Sequence, residues 1–280
     1  MIIDGKSIAN EILESSKIKI KSFKVLPCLA AVVVGDYEAS AIYVRNKARV
    51  CQQVGIEFLK YKFPSNIQQK KIIDLIKKLN SDKNITAILV QLPLPRHIDK
   101  RTIIESISPL KDVDAFTSEN FSKAVLKNSN FWPCTPSGII HLIKYTGIKI
   151  ESSNCIVIGR SEIVGKPLAL ALLNLDASVT ICHSKTINLT QRCIGADILI
   201  SAVGNPKLVT ENMVKPKAVV IDVGINYLDG KLCGDVDFEK VSKIASYITP
   251  VPGGVGPMTI AFLIKNILTL YENNLRTNES

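Results

Sequence analysis

The sequence contains no apolar run long enough to cross a membrane and no C-x-x-C pair. Its seven cysteines are odd in number and scattered, and its three histidines have no cysteine or carboxylate partner at ligand spacing. We therefore expect reduced thiols and no metal site. Acidic residues precede any long apolar stretch at the N-terminus, which argues against a secretory or transit peptide. We expect a cytoplasmic protein without a membrane partner.

Aromatic residues are scarce, at 6% of the chain, whereas hydrophobic residues make up 46%. A composition rich in aliphatic residues favours buried parallel strands over a β-sandwich. With 280 residues the chain is long for one core, so two lobes are expected.

The net charge of +10 comes from lysines spread along helix faces without interleaved aromatics. It indicates a solvated surface first and attraction of anionic small molecules second, and we expect no nucleic-acid partner.

Short β-branched runs alternate with amphipathic stretches along the chain, which is typical of βαβ units in an α/β fold with mostly parallel sheets. Strands are predicted at 29–35, 56–63, 86–92, 154–159, 178–182, 197–203, 218–223 and 246–249. Helices are predicted at 38–54, 66–80 and 258–273.

The loop-rich stretch 109–136 is predicted to connect the two lobes. The last helix is apolar on more than one face, so it is expected to pack back on the first lobe. We accordingly expect one domain over 1–120 together with the C-terminal helix 258–280, and a second domain over 121–257.

A candidate phosphate-binding turn follows the predicted strand at 154–159. The turn reads Gly159-Arg160-Ser161 and leads into a helix start near Gly165. A helix start presents unpaired N–H groups and a partial positive charge, which together favour an anion. The spacing matches neither G-x-G-x-x-G nor G-x-x-x-x-G-K-[ST]. The order of strand, turn and helix still favours a Rossmann-like dinucleotide lobe.

The next predicted strand ends in His183-Ser-Lys-Thr186, where an NAD enzyme usually has an acidic residue for the ribose 2′-hydroxyl. The absence of that acid, together with Arg160 and Lys185, favours a 2′-phosphate and hence NADP. The alternative is that both cations are solvated surface charges.

Tyr43 and Lys47 lie four residues apart on the predicted helix 38–54 and share one face, which Val50 and Val54 continue. Burial penalises the charged form of a lysine, so a desolvated Lys47 is able to take or relay a proton near neutral pH. The alternative is a lysine whose stem covers the apolar face while its ammonium reaches solvent.

Gln91 follows a predicted strand, and the carboxyl ends of parallel strands are where ligands bind in open α/β sheets. Its amide is suited to one hydrogen bond with Lys47 and another with a substrate or water. The alternative is that Gln91 only caps the end of the strand.

Asp112 and Asp114 flank Val113, so in an extended loop they point to opposite sides. Asp114 suits the paired N–H donors of an amino-heterocycle such as a pterin, or it closes an Asx-turn.

The loop 250–257 holds three glycines among three prolines. Glycine allows a positive φ and a close backbone approach, so the loop either turns the chain sharply or lets a flat ligand lie against the main chain. Either role requires an ordered loop.

Together these motifs resemble the bifunctional methylenetetrahydrofolate dehydrogenase/methenyltetrahydrofolate cyclohydrolases, the FolD family. The resemblance covers essentially the whole chain, in order. It rests on the segments 40–47, 91–95, 111–114, 133–138, 159–167, 183–186, 222–226, 234–236 and 250–259. The one departure is Ala115, where the family usually has glycine. A methyl group there is expected to tilt Asp114 or to tighten the pterin pocket.

The resemblance implies a two-lobed homodimer that binds tetrahydrofolate derivatives in its cleft and NADP on the second lobe. It implies that Lys47 is the central catalytic group, that Gln91 holds it, and that Tyr43 stacks on the folate. Asp114 would anchor the pterin. Further substrate residues are implied at Pro252, Gly253 and Gly254, and cofactor residues at Thr135, Gly159, Arg160, Ser161, Ser184 and Ile225.

The reaction that the resemblance implies is oxidation of 5,10-methylenetetrahydrofolate with NADP, followed by hydrolysis of the methenyl product to 10-formyltetrahydrofolate. Two other classes stay open. A dehydrogenase of another small substrate, of the shikimate or amino-acid type, needs the cofactor lobe but neither the Tyr43/Lys47 pair nor the Gln91 motif. A nucleotide-sensing module needs no proton-transfer lysine.

Overall fold

The computed structural model describes residues 1–129, 131–228 and 230–279, with side chains at all of these except 38, 39 and 275–279. The described chain divides into two compact units. The first unit consists of Glu11–Lys123 and the chain from Leu263 onward. The second unit consists of Met1–Asn10 and Ala124–Phe262. The domain limits expected from the sequence stay a prediction.

In chain order the elements are α1 (Gly5–Ile20), β1 (Cys28–Val34), α2 (Glu38–Val54), β2 (Glu57–Phe63), α3 (Gln69–Ser81), β3 (Ala87–Val90), α4 (Lys100–Glu105), α5 (Ser118–Val125), α6 (Cys134–Tyr145), β4 (Asn154–Ile158), α7 (Gly165–Leu173), β5 (Ser178–Cys182), α8 (Leu189–Cys193), β6 (Ile198–Ser201), a short 3₁₀ helix (Glu211–Met213), β7 (Val219–Asp222), β8 (Asn226–Leu228), β9 (Lys231–Cys233), α9 (Phe238–Val241), β10 (Tyr247–Ile248) and α10 (Val255–Glu279).

The first unit is built on a parallel sheet with the strand order β2-β1-β3. All seven residues of the central strand β1 are buried, whereas the edge strand β2 alternates between exposed and half-buried residues. A strand covered on both faces needs an unbroken apolar run, and a strand covered on one face needs alternation. Helix α3 covers the sheet with the buried residues Ile72, Ile76 and Leu79.

Helix α2 ends where the sequence provides a left-handed residue. Gly55 has φ 91°, and its N–H donates to Cys51 O at 3.0 Å. Glycine takes this conformation without the steric cost that a Cβ brings, so the chain turns directly into β2. The helix therefore lies beside β2 with its limits where the sequence predicts them, at 38–54.

The C-terminal part of α10 packs within the first unit, which confirms the expected return of this helix. Buried Asn266 donates from Nδ2 to Val113 O at 2.9 Å. Tyr271 donates from its hydroxyl to Val25 O at 2.7 Å, and its ring stacks on Phe23 with a centroid separation of 4.4 Å. The Asn266 bond ties the helix to the loop that carries the two aspartates discussed below, and the Tyr271 contacts tie it to the chain after α1.

The second unit contains a five-stranded parallel sheet with the order β10-β7-β6-β4-β5. The chain runs from β4 to β5 on one side and then returns to β6 on the other side. The order therefore reverses at β4, and in sheets of this kind ligands bind beyond the carboxyl ends of the strands at the reversal. This arrangement confirms the α/β fold expected from the sequence.

Every predicted strand is present, with ends within two residues of the prediction. The helices other than α2, α3, α7 and α10 were not located from the sequence, and α5 lies within the stretch 109–136 that was expected to be a loop-rich connection. The antiparallel hairpin of β8 and β9 is also additional to the sequence prediction. The hairpin had a local signal, because the sequence between its strands is Asp-Gly. Within the described chain, no helix combines the length and the apolar character that a membrane span requires.

Candidate active site

Lys47 and Gln91 meet in the first unit. Lys47 Nζ donates a hydrogen bond of 3.0 Å to Gln91 Oε1, and Gln91 Nε2 donates one of 2.7 Å to Leu92 O. Both side chains are half-buried. The bond to Leu92 fixes which end of the amide faces the lysine, so Oε1 is the acceptor that Lys47 sees. The expected contact is confirmed, while the catalytic roles of the two residues stay a prediction.

The apolar side of α2 carries the lysine to this position. Val50 and Val54, on the same face, are 7% and 3% exposed. Tyr43 lies one turn before Lys47 on that face and is half-buried. Gln91 comes directly after β3, whose residues are all buried, and its N–H still pairs with β1 at 2.9 Å. Helix packing and sheet pairing thus position the lysine and the amide independently.

The aspartates of the Asp-Val-Asp motif sit in a turn, not in an extended loop as expected. Asp112 is 1% exposed, and its Oδ2 accepts from the Thr117 N–H at 2.8 Å and from Asn120 Nδ2 at 3.2 Å. Asp112 therefore holds the loop together. Asp114 is half-buried, so it is the carboxylate of the pair that reaches the surface. Its contact with a pterin stays a prediction.

Ala115 adopts a left-handed backbone conformation, with φ 54°, and its side chain is fully buried. This conformation favours glycine, which gives a physical reason for the glycine usual at this point of the resembled family. Alanine in the left-handed region costs about 1–2 kcal/mol. The expected effect of the methyl group on Asp114 stays a prediction.

In the second unit, two glycines in contact build the turn after β4. Gly159 has φ +127°, and a Cβ on it would lie 2.5 Å from Ala202 O. A Cβ on Gly165 would lie 2.2 Å from Gly159 O. Both distances exclude any side chain, so strand, turn and helix α7 pack backbone against backbone. A turn of this shape also lets a phosphate approach the main chain closely.

Arg160 and Ser161 are exposed at this turn. Ser161 Oγ accepts from the N–H groups of Val164 and Gly165 at 3.2 and 3.3 Å. The helix start was expected to present unpaired N–H groups, and this side chain instead caps part of it. The Ser161 hydroxyl can still donate its own proton to an anion, and Arg160 adds a guanidinium beside it.

The other predicted cofactor residues follow neighbouring strands of the same sheet. The turn His183–Thr186 follows β5 and is held by a hydrogen bond of 2.9 Å from its first N–H to its last side-chain oxygen. Ser184 and Lys185 are exposed on it. Ile225, which is 48% exposed, follows β7. Because parallel strands end at one edge of the sheet, these residues share that edge with Gly159.

The loop after β10 is fixed by close backbone contacts, in agreement with the expectation that it is ordered. A Cβ on Gly254 would lie 2.6 Å from Pro250 O, and a Cβ on Gly5 would lie 2.1 Å from Gly254 O. Gly253 has φ +105°, and Pro252 is exposed. The peptide bond before Pro252 is cis.

Thr135, at the start of α6, lies beside the first turns of α10. Its Oγ1 is 3.1 Å from Thr259 Oγ1, and the Thr259 hydroxyl also lies 3.2 Å from Val255 O. One hydroxyl carries one proton, so when Thr259 donates to Val255 the donor between the two threonines is Thr135. The role of Thr135 toward a cofactor stays a prediction.

The cofactor residues of the second unit fit a dinucleotide in three respects: the glycine turn, the exposed Arg160 on it, and the strand edge that they share.

Comparison with known proteins gives the family. Residues 3–114 match the sequence model of the tetrahydrofolate dehydrogenase/cyclohydrolase catalytic domain, and residues 133–275 match that of the NAD(P)-binding domain of the same enzymes. The bifunctional protein FolD of Acetivibrio thermocellus is 49% identical over 269 residues, covering 95% of this chain and 94% of that protein. The chain belongs to the tetrahydrofolate dehydrogenase/cyclohydrolase family.

Solved structures of the family agree in fold. The bifunctional FolD methylenetetrahydrofolate dehydrogenase/cyclohydrolase of Campylobacter jejuni has a TM-score of 0.95 at 46% identity, covering 98% of this chain and 99% of that one. The FolD enzyme of Trypanosoma brucei, solved with NADP cofactor and an inhibitor, has a TM-score of 0.94 at 34% identity, covering 99% and 98%. This chain is accordingly a dehydrogenase and a cyclohydrolase of folate one-carbon metabolism.

Two buried aspartates of the family's motifs 222–226 and 234–236 were not identified as functional from the sequence. Asp222 is 3% exposed and Asp235 is 0% exposed. Asp222 Oδ1 accepts from the N–H groups of Gly224 at 3.0 Å and Asp235 at 2.9 Å, and its Oδ2 accepts from Val236 at 2.9 Å. The signal available in the sequence is a glycine close to each aspartate, which makes room for a buried carboxylate.

Burial raises the pKa of Asp222 from 3.8 to about 6; the neighbouring Asp235 acts in the same direction, and the three backbone N–H groups oppose it. The folded chain thus holds this proton more tightly than the unfolded chain, so ionisation of Asp222 lowers stability as the pH rises from about 4 to 6.

We predict that the free energy of unfolding of Asp222→Asn falls less than that of the wild type between pH 4 and 6. The difference should be about 3 kcal/mol, because a shift of one pKa unit corresponds to 1.36 kcal/mol. Urea denaturation at pH 4, 5, 6 and 7 measures it.

The control for this prediction is Asp176→Asn, at an exposed position of the same unit. This control is expected to keep the wild-type pH profile. Equal slopes for wild type and Asp222→Asn between pH 4 and 6 would show that Asp222 does not titrate in this range.

Proposed function

We propose that this chain oxidises 5,10-methylenetetrahydrofolate to 5,10-methenyltetrahydrofolate with NADP and hydrolyses the product to 10-formyltetrahydrofolate, with Lys47 as the proton-transfer group. The observation that carries the assignment is the hydrogen bond of 3.0 Å from Lys47 to Gln91. It lies within the region that matches the catalytic-domain model. NADP is supported by the NADP complex of the Trypanosoma brucei relative and by the exposed Arg160.

In the hydrolytic step, water adds to the carbon of the methenyl cation, and one carbon–nitrogen bond then opens to leave the formyl group. Lys47 takes a proton from the attacking water or returns one to the departing nitrogen. Gln91 Oε1 accepts from the lysine and fixes where Nζ points, because the other end of its amide is held by Leu92 O. Tyr43 holds the plane of the folate ring, and Asp114 accepts N–H bonds from its pterin.

In the oxidative step, the nicotinamide of NADP supplies the hydride acceptor. The residues of this chain bind and orient. Gly159 allows the diphosphate to approach the main chain, while Ser161 and Ser184 offer hydroxyl donors. Arg160 and Lys185 supply positive charge for the 2′-phosphate. The remaining contacts proposed are Thr135 and Ile225 for the cofactor and Pro252, Gly253 and Gly254 for the folate.

We predict that Lys47→Met lowers the cyclohydrolase kcat about 10²- to 10⁴-fold, because general acid–base help of that size is lost. NADP affinity should stay within twofold, since the lysine is not among the proposed cofactor residues. The decay of methenyltetrahydrofolate absorbance measures the first quantity, and fluorescence titration measures the second.

The matched control is Arg45→Met, which removes an exposed cation two residues away on another face of α2. It should keep at least half of the cyclohydrolase rate. Full cyclohydrolase turnover by Lys47→Met would show that another group moves the proton.

We predict that Arg160→Gln weakens NADP binding about 10- to 100-fold, because hydrogen bonds to a charged partner contribute about 1.5–3 kcal/mol. NAD binding should change less than threefold, since NAD has no 2′-phosphate. Lys166→Gln removes an exposed cation from α7 and serves as the control. Equal weakening of both cofactors by Arg160→Gln would rule out a contact specific to the 2′-phosphate.

The chain is further proposed to form a homodimer through the edge strand β2. In the described chain β2 pairs on one side only, with β1. A surface groove of about 480 Å³ lies beside it, lined by Ala48, Arg49, Gln52, Ile56, Glu57 and Phe58. An open strand edge beside a groove that offers both apolar and charged side chains suits pairing with a second copy. The cytoplasmic location stays a prediction, supported by seven free cysteines.

Light scattering tests the dimer. The wild type should show twice the chain mass of 30.7 kDa, and Phe58→Asp should shift it toward the monomer because it places a charge in the groove. Leu110→Asp, at a residue 55% exposed elsewhere in the first unit, should leave the mass unchanged. A wild type that scatters as a monomer at micromolar concentration would refute the homodimer.

A further inference from the structure

Asp235 lies at the centre of a hydrogen-bond network beyond the carboxyl ends of β6 and β7. It is fully buried. Its Oδ2 accepts from Ser201 Oγ at 3.0 Å and from the N–H groups of Val203 and Gly204 at 2.8 and 3.3 Å. Its Oδ1 accepts from the Asn205 N–H at 2.8 Å and from Asn226 Nδ2 at 3.0 Å. One carboxylate thus collects five donors from two separate loops.

Asp222 in turn fixes the backbone of Asp235. Its Oδ1 accepts the Asp235 N–H at 2.9 Å. The two buried carboxylates therefore form a chain of hydrogen bonds that links β7, the residue pair after β9 and the loop after β6. Two glycines leave the space that these two carboxylates occupy. A Cβ on Gly234 would lie 1.9 Å from Asp222 Oδ2, and a Cβ on Gly224 would lie 2.2 Å from Asp235 Oδ1.

The loop after β6 also touches the phosphate-binding turn. A Cβ on Gly159 would meet Ala202 O at 2.5 Å, so the two main chains are in direct contact. A shift of the segment 202–205 therefore moves the turn that carries Arg160. The hairpin side of the network begins at Asn226, directly after Ile225. The network consequently borders two of the proposed cofactor contacts without being one of them.

We propose that Asp235 is a positioning residue for the NADP half of this bifunctional enzyme. It sets the shape of the loops 201–205 and 222–226, and so the geometry of the Gly159 turn and of Ile225. The inference rests on the proposed function, because it takes these residues as cofactor contacts. Lys47 and Gln91 belong to the first unit, so the hydrolytic step is expected not to depend on Asp235.

Asp235→Asn is the test variant. The amide has the shape of the carboxylate, but its NH₂ end meets N–H donors where an oxygen accepted them before. NADP affinity should fall at least tenfold, and dehydrogenase kcat/KM should fall with it. Cyclohydrolase activity, assayed on methenyltetrahydrofolate without NADP, should stay within twofold. In the ligand-free protein, the amides of residues 203–205 should exchange with deuterium at least tenfold faster.

The matched control is Asp197→Asn, at the opposite end of β6. Asp197 Oδ2 accepts from the Asn154 N–H at 2.9 Å, and its Oδ1 accepts from Lys215 Nζ at 2.5 Å. This variant also removes a carboxylate that holds backbone, but far from the 202–205 segment. It should lower the melting temperature while leaving NADP affinity and exchange at 203–205 within twofold of wild type.

A parallel fall of both activities in Asp235→Asn, or unchanged NADP affinity, would overturn the proposal and leave Asp235 a stabilising residue only. Should that variant not fold, Asn226→Ala removes one of the five donors and should give a smaller fall in NADP affinity with cyclohydrolase activity retained. The NADP titration and the exchange rates decide this inference separately from the proposed function, which fails instead if the wild type does not oxidise methylenetetrahydrofolate.

Discussion

The hydrogen bond from Lys47 to Gln91 joins a helix to the end of a strand across 44 residues of sequence, at a distance of 3.0 Å. It forms because α2 packs its apolar face inward while β3 ends at the edge of a parallel sheet. Either element alone would leave its polar residue with an ordinary surface role. Together they hold an amine in one direction, which a proton-transfer group needs before its basicity matters.

The second unit has a different task, which is to bind an anionic cofactor. Binding of this kind requires backbone N–H groups and fixed positive charge, and it requires no reactive side chain. Glycines at 159 and 165 let strand, turn and helix touch through their main chains. Buried Asp222 and Asp235 accept backbone N–H groups that would otherwise remain unpaired, and unpaired buried donors are costly. Negative charge inside the unit thus orders the loops after β6 and β7, and the loop after β6 touches the turn that carries Arg160.

Much of this architecture follows from patterns between residues close in sequence. The spacing of apolar residues and the composition predicted the strands and the helix 38–54. The helical spacing of Lys47, and the rule that ligands bind at the carboxyl ends of parallel strands, predicted its contact with Gln91. The turn at Asp112–Ala115, the capping role of Ser161 and the pair Asp222 and Asp235 did not follow. These features depend on hydrogen bonds between residues brought together by tertiary structure, which leave no period in the sequence. Ala115 shows the limit well, since only its backbone φ of 54° explains the usual glycine there.

The most direct test of the central claim is a double-mutant cycle on the cyclohydrolase kcat/KM, using Lys47→Met, Gln91→Leu and the double variant. If Gln91 acts through Lys47, the double variant should be no slower than Lys47→Met alone, within about threefold. If the losses of the two single variants multiply in the double variant, the amide and the amine act independently. That result would contradict the claim that the 3.0 Å hydrogen bond from Lys47 to Gln91 positions the proton-transfer group.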